Sequence, residues 1–394
     1  MLKVGIWAET LCGPPNGTRT IISQLVQSLA ADGDFRVTLI CPENGDAERL
    51  RSEFSSRQVS ILMAPRGKWH YRIRWLLGLD SLSMLAGQHD VWLSGWHWPL
   101  GRKDVPFLAI LHDIRILEEG ARVSASLVRR FAWRILIMLS IAAGLQRARR
   151  VVCVSEFSRA RLTQLFPRYS KKYQTIHNGI DIAYWSTKPV PTVVQAAKQH
   201  AGLPPSANYV LTLGAHTDHK NFPRLIQAFA GLVDESSRLT SDAPYLVIVG
   251  RHGLATPDIR RQVTEDRIGE RVLLPGTLSA LDVHALMHEA KLFVFPSMYE
   301  GFGIPVLEAF AAGTPVIASD ICALREVARD AALFVDPFDT QALTRAMLET
   351  WHDSTLRAQL ATLGRRRVQS FASSQMIARY RNILRDVASP NTWS

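Results

Sequence analysis

Glu300 and Glu308 bracket the segment E-G-F-G-I-P-V-L-E, which lies between two apolar runs, 292–295 and 315–318. The first run reads as a buried strand and the second as the next parallel strand. Pro305 opens a short helix between them and Gly313 closes it. The start of a helix carries unpaired N–H groups and a partial positive charge, so it can hold a phosphate. Carboxylates on either side can take hydroxyl groups. The combination of Glu300, Gly301, Gly303 and Glu308 therefore suits a nucleotide-linked sugar. An ordinary Gly-rich turn with a glutamate in the following helix is the plain alternative. The segment is not a dinucleotide-binding fingerprint, because Val306 stands where the third glycine would be.

Three other loops follow strand candidates and carry polar groups. Residues 9–18 include Gly13, Pro14, Pro15, Asn16 and Gly17; a glycine just before a helix lets backbone approach a phosphate or sugar, or simply makes a turn. His112 follows the apolar run 107–111. A histidine there can bond a sugar hydroxyl, carry a proton, or bond a nearby carbonyl structurally. Residues 214–221 read G-A-H-T-D-H-K-N and place Lys220 just before a helix, where its ammonium adds to the positive helix end; a surface lysine is the alternative. Asp32-Gly33-Asp34 matches a D-x-D metal pattern but falls on a helix-to-strand turn at the wrong edge of a sheet, so it reads as a cap and turn. Two aromatic–basic runs, 66–75 and 129–134, suit a membrane surface, a nucleic-acid platform or packed helices with solvated arginines. Trp96, His97 and Trp98 are candidates for an acceptor site or for core.

The elements that must position these groups alternate in type. Strands are expected over 4–8, 35–41, 90–93, 107–111 and 151–154, with a helix over 18–31 that buries Ile21, Ile22, Leu25, Val26 and Leu29. The pattern restarts with strands over 209–213, 245–249, 272–274, 292–295, 316–318 and 333–335. Helices follow over about 339–352, 354–369 and 373–387. Such alternation predicts parallel, doubly wound α/β sheets, with ligands beyond the carboxyl ends of the strands. Residues 189–206, rich in Pro, Ala and Gln, read as the interdomain region. The division expected is 1–188 with a returning C-terminal helix from 373 to 394, and 206–372.

A chain of 394 residues with 47% hydrophobic content supports two such cores. The longest apolar run, near 135–145, is too short to span a bilayer, and the N-terminus reads as a strand rather than a signal peptide. The four cysteines form no C-x-x-C pair, which fits a reduced cytoplasmic setting and not a metal cage. Charge is uneven. Residues 1–185 hold 25 Lys+Arg against 15 Asp+Glu, and the remainder 21 against 20, so nearly all of the net +11 lies in the first half. That excess points to an anionic surface such as membrane headgroups, a lipid diphosphate or nucleic acid, or to a merely solvated basic face.

The E-x7-E run at 300–309 resembles the motif of family-four retaining glycosyltransferases of the GT-B fold. Phe295-Pro296-Ser297 before it, His177-Asn178-Gly179-Ile180-Asp181, Ser155-Glu156-Phe157-Ser158, the 214–221 loop and Asp336-Pro337 also resemble that family. The resemblance implies two Rossmann-like domains facing across a cleft, with the donor held by the second. It implies that Glu300, with Gly301, Phe302 and Gly303 of the following backbone, holds the donor sugar, with Ile304 in the same substrate-binding set. Glu308 would hold the ribose hydroxyls, and Lys220 would neutralise the diphosphate. Gly17 and His112 would face the donor, and Gly214, His219 and Arg251 would line its site, with the base near Arg251 and 274–276. No metal or other cofactor is implied. One departure stands out: many members carry Arg where Ala215 stands, and His219 precedes Lys220 where Arg is common. Either His219 is protonated by the diphosphate, or Arg19 or Arg251 supplies the missing charge.

The resemblance further implies hexose transfer with retention, from GDP-mannose by likeness to bacterial surface-polysaccharide mannosyltransferases; UDP- and dTDP-sugars stay open. The expected catalytic groups are Glu300, Lys220 and His112. The expected acceptor is a lipid-linked oligosaccharide, met by a cytoplasmic protein in peripheral contact with the anionic inner membrane. A soluble acceptor and a nucleotide-sugar epimerase of similar architecture are the alternatives. A nucleic-acid-binding protein would explain the charge but not the Glu300–Glu308 segment.

Overall fold

A computed structural model of the chain describes residues 1–13, 17–42, 45–63, 89–95, 105–115, 127–239 and 243–389. The chain forms two compact units. Residues 1–179 and the C-terminal segment from Ser373 make the first, and Ile180–Ala372 the second.

Among its described residues the first unit holds seven parallel strands: β1 (Leu2–Trp7), β2 (Phe35–Cys41), β3 (Val59–Met63), β4 (Val91–Ser94), β5 (Phe107–Leu111), β6 (Arg150–Cys153) and β7 (Tyr173–Thr175). Their order is β3-β2-β1-β4-β5-β6-β7. Central strands such as β4 and β5 are buried throughout, as helices on both faces of a parallel sheet require. Gly5 pairs with Trp92, and a Cβ at Gly5 would lie 2.6 Å from the indole ring. The bare backbone is what lets the fully buried indole lie over β1. The Gly17–Ala31 helix buries Ile21, Ile22, Leu25, Val26 and Leu29, the stripe its spacing predicts.

The helix Ser373–Ala388 returns to this unit and buries Met376, Tyr380, Ile383, Leu384 and Val387. Arg381 donates to the Ser28 carbonyl at 2.8 Å and pairs with Asp32 at 3.2 Å; Arg385 pairs with Asp34 at 2.8 Å. The D-x-D turn thus holds the returning helix. Each pair is partly solvated and contributes about 1 kcal/mol at most. Cys12 and Cys41, 29 positions apart in sequence, bring their thiol sulfurs to 3.5 Å.

Among its described residues the second unit holds six parallel strands: β8 (Tyr209–Leu213), β9 (Tyr245–Val249), β10 (Val272–Gly276), β11 (Leu292–Phe295), β12 (Val316–Ser319) and β13 (Leu333–Val335). Their order is β10-β9-β8-β11-β12-β13. Strand order reverses between β8 and β11, as it does between β1 and β4 in the first unit. Ligands of such sheets bind beyond the strand ends at these reversals.

Two sequence expectations need correction. Strands β3 and β7 were not anticipated; both are edge strands, one half-buried along its length and the other only three residues long. Residues 189–206 are not a linker between units. Pro191–Ala201 is a helix that buries Ala197 and Ala201 and packs on the Ala280–Glu289 helix of the second unit. Pro191 at its start and Gly202 at φ 77° just past its end are ordinary helix punctuation. The change of unit comes earlier, at Gly179, beside the return: the Ile180 N–H donates to the Phe371 carbonyl at 2.9 Å. Among the described residues no helix is long and apolar enough to cross a membrane.

Candidate active site

The loops that leave β8 and β11 arise from neighbouring strands at the reversal in the second unit. After β8 the chain passes Gly214 and forms a single 3-10 turn, Asp218–Lys220; after β11 it runs through Glu300 to the helix Ile304–Ala312. The Lys220 ammonium donates to Glu300 Oε1 at 2.6 Å, with both side chains 15% exposed. The Phe295 ring lies beside the ammonium, 4.8 Å away at its centroid. A Cβ at Gly214 would stand 3.0 Å from Lys220 Cε, so the glycine leaves the lysine stem its channel. Gly303 adopts φ 108° at the start of the helix, where a Cβ would meet Leu324 at 2.6 Å, and among the described residues no side chain caps that end. The positive end of a helix, an ammonium and a carboxylate thus share one loop pair.

Other residues hold these loops in register. Asn221, buried and left-handed at φ 58°, donates through Nδ2 to the carbonyls of Pro337 at 2.7 Å and Pro296 at 3.2 Å. The Met298 N–H donates to the His219 carbonyl at 2.8 Å. His216 is fully buried; its N–H donates to the Arg251 carbonyl at 2.9 Å and its Nδ1 lies 3.1 Å from Thr256 Oγ1. Its ring is pushed down to about 4 by burial, with His252 and Arg260 adding like charge, so it is neutral at pH 7. Neither His216 nor Asn221 received a role from the sequence, because their partners lie on other strands' loops.

Glu308 is partly buried on the same short helix as Ile304, and burial pushes its carboxyl up from 4.5 to about 7. No described residue gives it a hydrogen bond. Tyr184, also missed, lies near enough that the Glu308 carboxylate raises its phenol, after burial itself. The linkage has a definite sign. Between about 4.5 and about 7 the folded chain keeps a proton on Glu308 that the unfolded chain has lost, so this residue's contribution falls as pH rises through 7. Glu308→Gln should flatten that part of a plot of melting temperature against pH; an unchanged slope would contradict the assignment.

The remaining expected residues stand as follows. Gly17 is the exposed first residue of its helix in the first unit. His112 follows β5; burial pushes its ring down to about 4, and its Nε2 has no hydrogen-bond partner among the described residues. His112 and His216 both lack, between 6.5 and about 4, a proton the unfolded chain takes, so acidification through that window destabilises the fold. Arg19 is engaged with Glu53 at 2.5 Å inside the first unit. Arg251 is exposed on the loop after β9. The Phe302 side chain is turned against Phe371, 5.8 Å between centroids, leaving only its backbone for the loop's outer face. Pro14, Pro15, Asn16, the run 66–75 and Trp96, His97 and Trp98 lie outside the described residues, as do the side chains of 129–134.

Both units match glycosyltransferase family models. Residues 15–184 match the family described as Glycosyltransferase Family 4, and 193–367 match Glycosyl transferases group 1. The chain is 29% identical over 234 residues to O-antigen chain mannosyltransferase B of Escherichia coli, covering 59% of each. It is 28% identical over 238 residues to O-antigen chain mannosyltransferase RfbU of Salmonella typhimurium, covering 60% of this chain and 58% of that one. The chain thus spans under two thirds of the length of these curated relatives. Among solved structures, a sucrose-phosphate synthase from Thermosynechococcus elongatus superposes with a TM-score of 0.76 at 20% identity, covering 98% of this chain and 99% of that one. That likeness shows the fold, two Rossmann-like parallel-sheet units of the GT-B type. By its two family matches, which together span most of its length, the chain belongs to the family-four glycosyltransferases.

Proposed function

We propose that the second unit binds a nucleoside diphosphate sugar and that the chain transfers its hexose to a hydroxyl with retention at the anomeric carbon. The observation that carries this reading is the 2.6 Å contact of Lys220 with Glu300 beside the uncapped start of the Ile304–Ala312 helix. As the bond from the anomeric carbon to the β-phosphate oxygen breaks, negative charge grows on the phosphate. Lys220 and the helix start are placed to stabilise it, so the positive charge comes from the protein and no metal is needed. The acceptor hydroxyl attacks from the same face and gives its proton to the departing phosphate oxygen, which requires no enzymic nucleophile. Glu300 fixes Lys220 and takes a hydroxyl of the donor sugar. Glu308 accepts the ribose hydroxyls. Arg251, exposed on a loop tied to His216, is the cation that makes good Ala215. His112 stays neutral, which suits a hydrogen bond to a sugar hydroxyl and not storage of a proton.

We further propose GDP-mannose as donor and a lipid-linked oligosaccharide as acceptor in surface-polysaccharide synthesis. The names of the two relatives, both mannosyltransferases of O-antigen chains, support the sugar. Peripheral contact with an anionic inner membrane is supported by the charge excess of residues 1–185 and by Ile135 and Leu139, 42% and 61% exposed one turn apart on the helix Leu127–Arg147. Thermal shift with GDP, UDP and dTDP tests the donor. Stabilisation by GDP alone is expected; preference for UDP or dTDP would overturn the mannose assignment, and stabilisation by none would overturn the transferase reading. Sedimentation with anionic vesicles at low salt tests the membrane contact, and a protein that stayed in the supernatant would contradict it.

A further inference from the structure

We propose that the second unit carries a separate binding site for a phosphate-type oxyanion, lined by Lys188, His288 and Arg365 at the opposite end of the helix that starts beside Lys220 and Glu300. A cavity of about 270 Å³ opens there against Ala311 and Ala312, the last turn of that helix. Among the described residues no carboxylate lines it. Among the described residues neither Lys188 nor Arg365 pairs with an acid, whereas the neighbouring Arg366 lies 3.8 Å from Asp330. Ser186 and Gln369 add a hydroxyl and an amide.

The helix end itself does not account for the two cations. Its C-terminal partial charge is about −0.5, against two full positive charges. In its last turn the Phe310 and Ala309 carbonyls are already taken by the N–H groups of Gly313 and Thr314, and the Arg365 guanidinium lies against Gly313. A net positive, acid-free cavity remains. It joins the stretch just after the chain enters this unit, at Ser186 and Lys188, to the stretch just before it leaves, at Arg365 and Gln369.

His288 gives the cavity a titrating group. Its Nε2 lies 3.0 Å from the Trp185 carbonyl, so that nitrogen carries the hydrogen of the neutral ring, and a second proton must go to Nδ1. The ring is held below its usual range by burial, then by His284, Lys188 and Arg365, while the Trp185 carbonyl opposes. An oxyanion would reverse the like-charge part of that effect. Binding therefore takes up a proton and strengthens as pH falls.

Calorimetric titration of the full chain with sulfate, whose charge is constant near neutral pH, tests the site. Binding several-fold tighter at about pH 6 than at about pH 8 is expected. Lys188→Ala, at an exposed position, and Arg365→Gln should each weaken it about tenfold. His288→Gln should remove the pH dependence, and Lys220→Ala should leave binding intact. Melting temperatures of the variants show that each is folded. No binding at about 10 mM sulfate, indifference to both Lys188→Ala and Arg365→Gln, or loss with Lys220→Ala would overturn the proposal. Inorganic phosphate and a hexose 1-phosphate then separate the sources: equal affinity supports the free anion as occupant, and tighter binding of the ester supports a phosphate ester.

Discussion

Lys220→Ala should fold and yet lose about two to three orders of magnitude in turnover, the loss expected when a positioned charge is removed from a developing anion. The ammonium sits 15% exposed, 2.6 Å from Glu300 and beside the Phe295 ring, so it is held in place before any ligand arrives. Its removal strands the Glu300 carboxylate in a partly dry setting, which adds a structural cost. Lys220→Arg separates the two effects, because it keeps a charge near Glu300 while displacing it from a site shaped for a lysine stem by Gly214. The expected order of turnover is wild type, then Arg, then Ala, with all three binding the nucleobase and ribose. A rate for Lys220→Ala near that of the wild type would remove this residue from the chemistry.

Gly250→Ala should destabilise the second unit by about 3 kcal/mol or more, among the larger single-residue effects. Gly250 follows β9 at φ 159°, and a Cβ there would lie 1.8 Å from the Gly214 carbonyl oxygen. The clash is backbone against backbone, so no rotamer relieves it. Gly214 in turn lies along Lys220, so whatever relaxation occurs should displace the lysine, and activity should fall with stability. Urea unfolding measures the loss. Gly33→Ala is the matched control: nothing lies within 4 Å of a Cβ at that turn, and its effect should be within about 0.5 kcal/mol. Equal midpoints for Gly250→Ala and Gly33→Ala would show that the loops after β8 and β9 do not pack as described.

What could be read from the residues alone divides along a physical line. Buried parallel strands are continuous apolar runs, so 209–213, 245–249 and 292–295 match β8, β9 and β11 residue for residue. The order strand, glutamate, glycines, proline, helix, glutamate is likewise local, and 300–308 folds as that order predicts. Contacts between distant loops leave no such local trace. Lys220 meets Glu300 across 80 positions, and Asn221 meets Pro337 across 116. Asp32 and Asp34 looked like a turn and a discarded metal pattern; that they hold the C-terminal helix through Arg381 and Arg385 depends on a tertiary contact spanning most of the chain. The helix Pro191–Ala201 falls in the stretch read as interdomain because 189–206 is rich in Pro, Ala and Gln, while the two alanines it buries carry little hydrophobic signal.

The most direct test of the central claim is calorimetric titration of GDP into the wild-type chain, Lys220→Ala and Glu308→Gln. The expected result is one GDP bound by the wild type, with each substitution weakening it about tenfold or more, Lys220→Ala by losing a charge on the diphosphate and Glu308→Gln by losing the ribose contact. GDP that binds all three proteins equally, or a wild type that binds no nucleoside diphosphate, would contradict the claim that these loops hold an activated sugar.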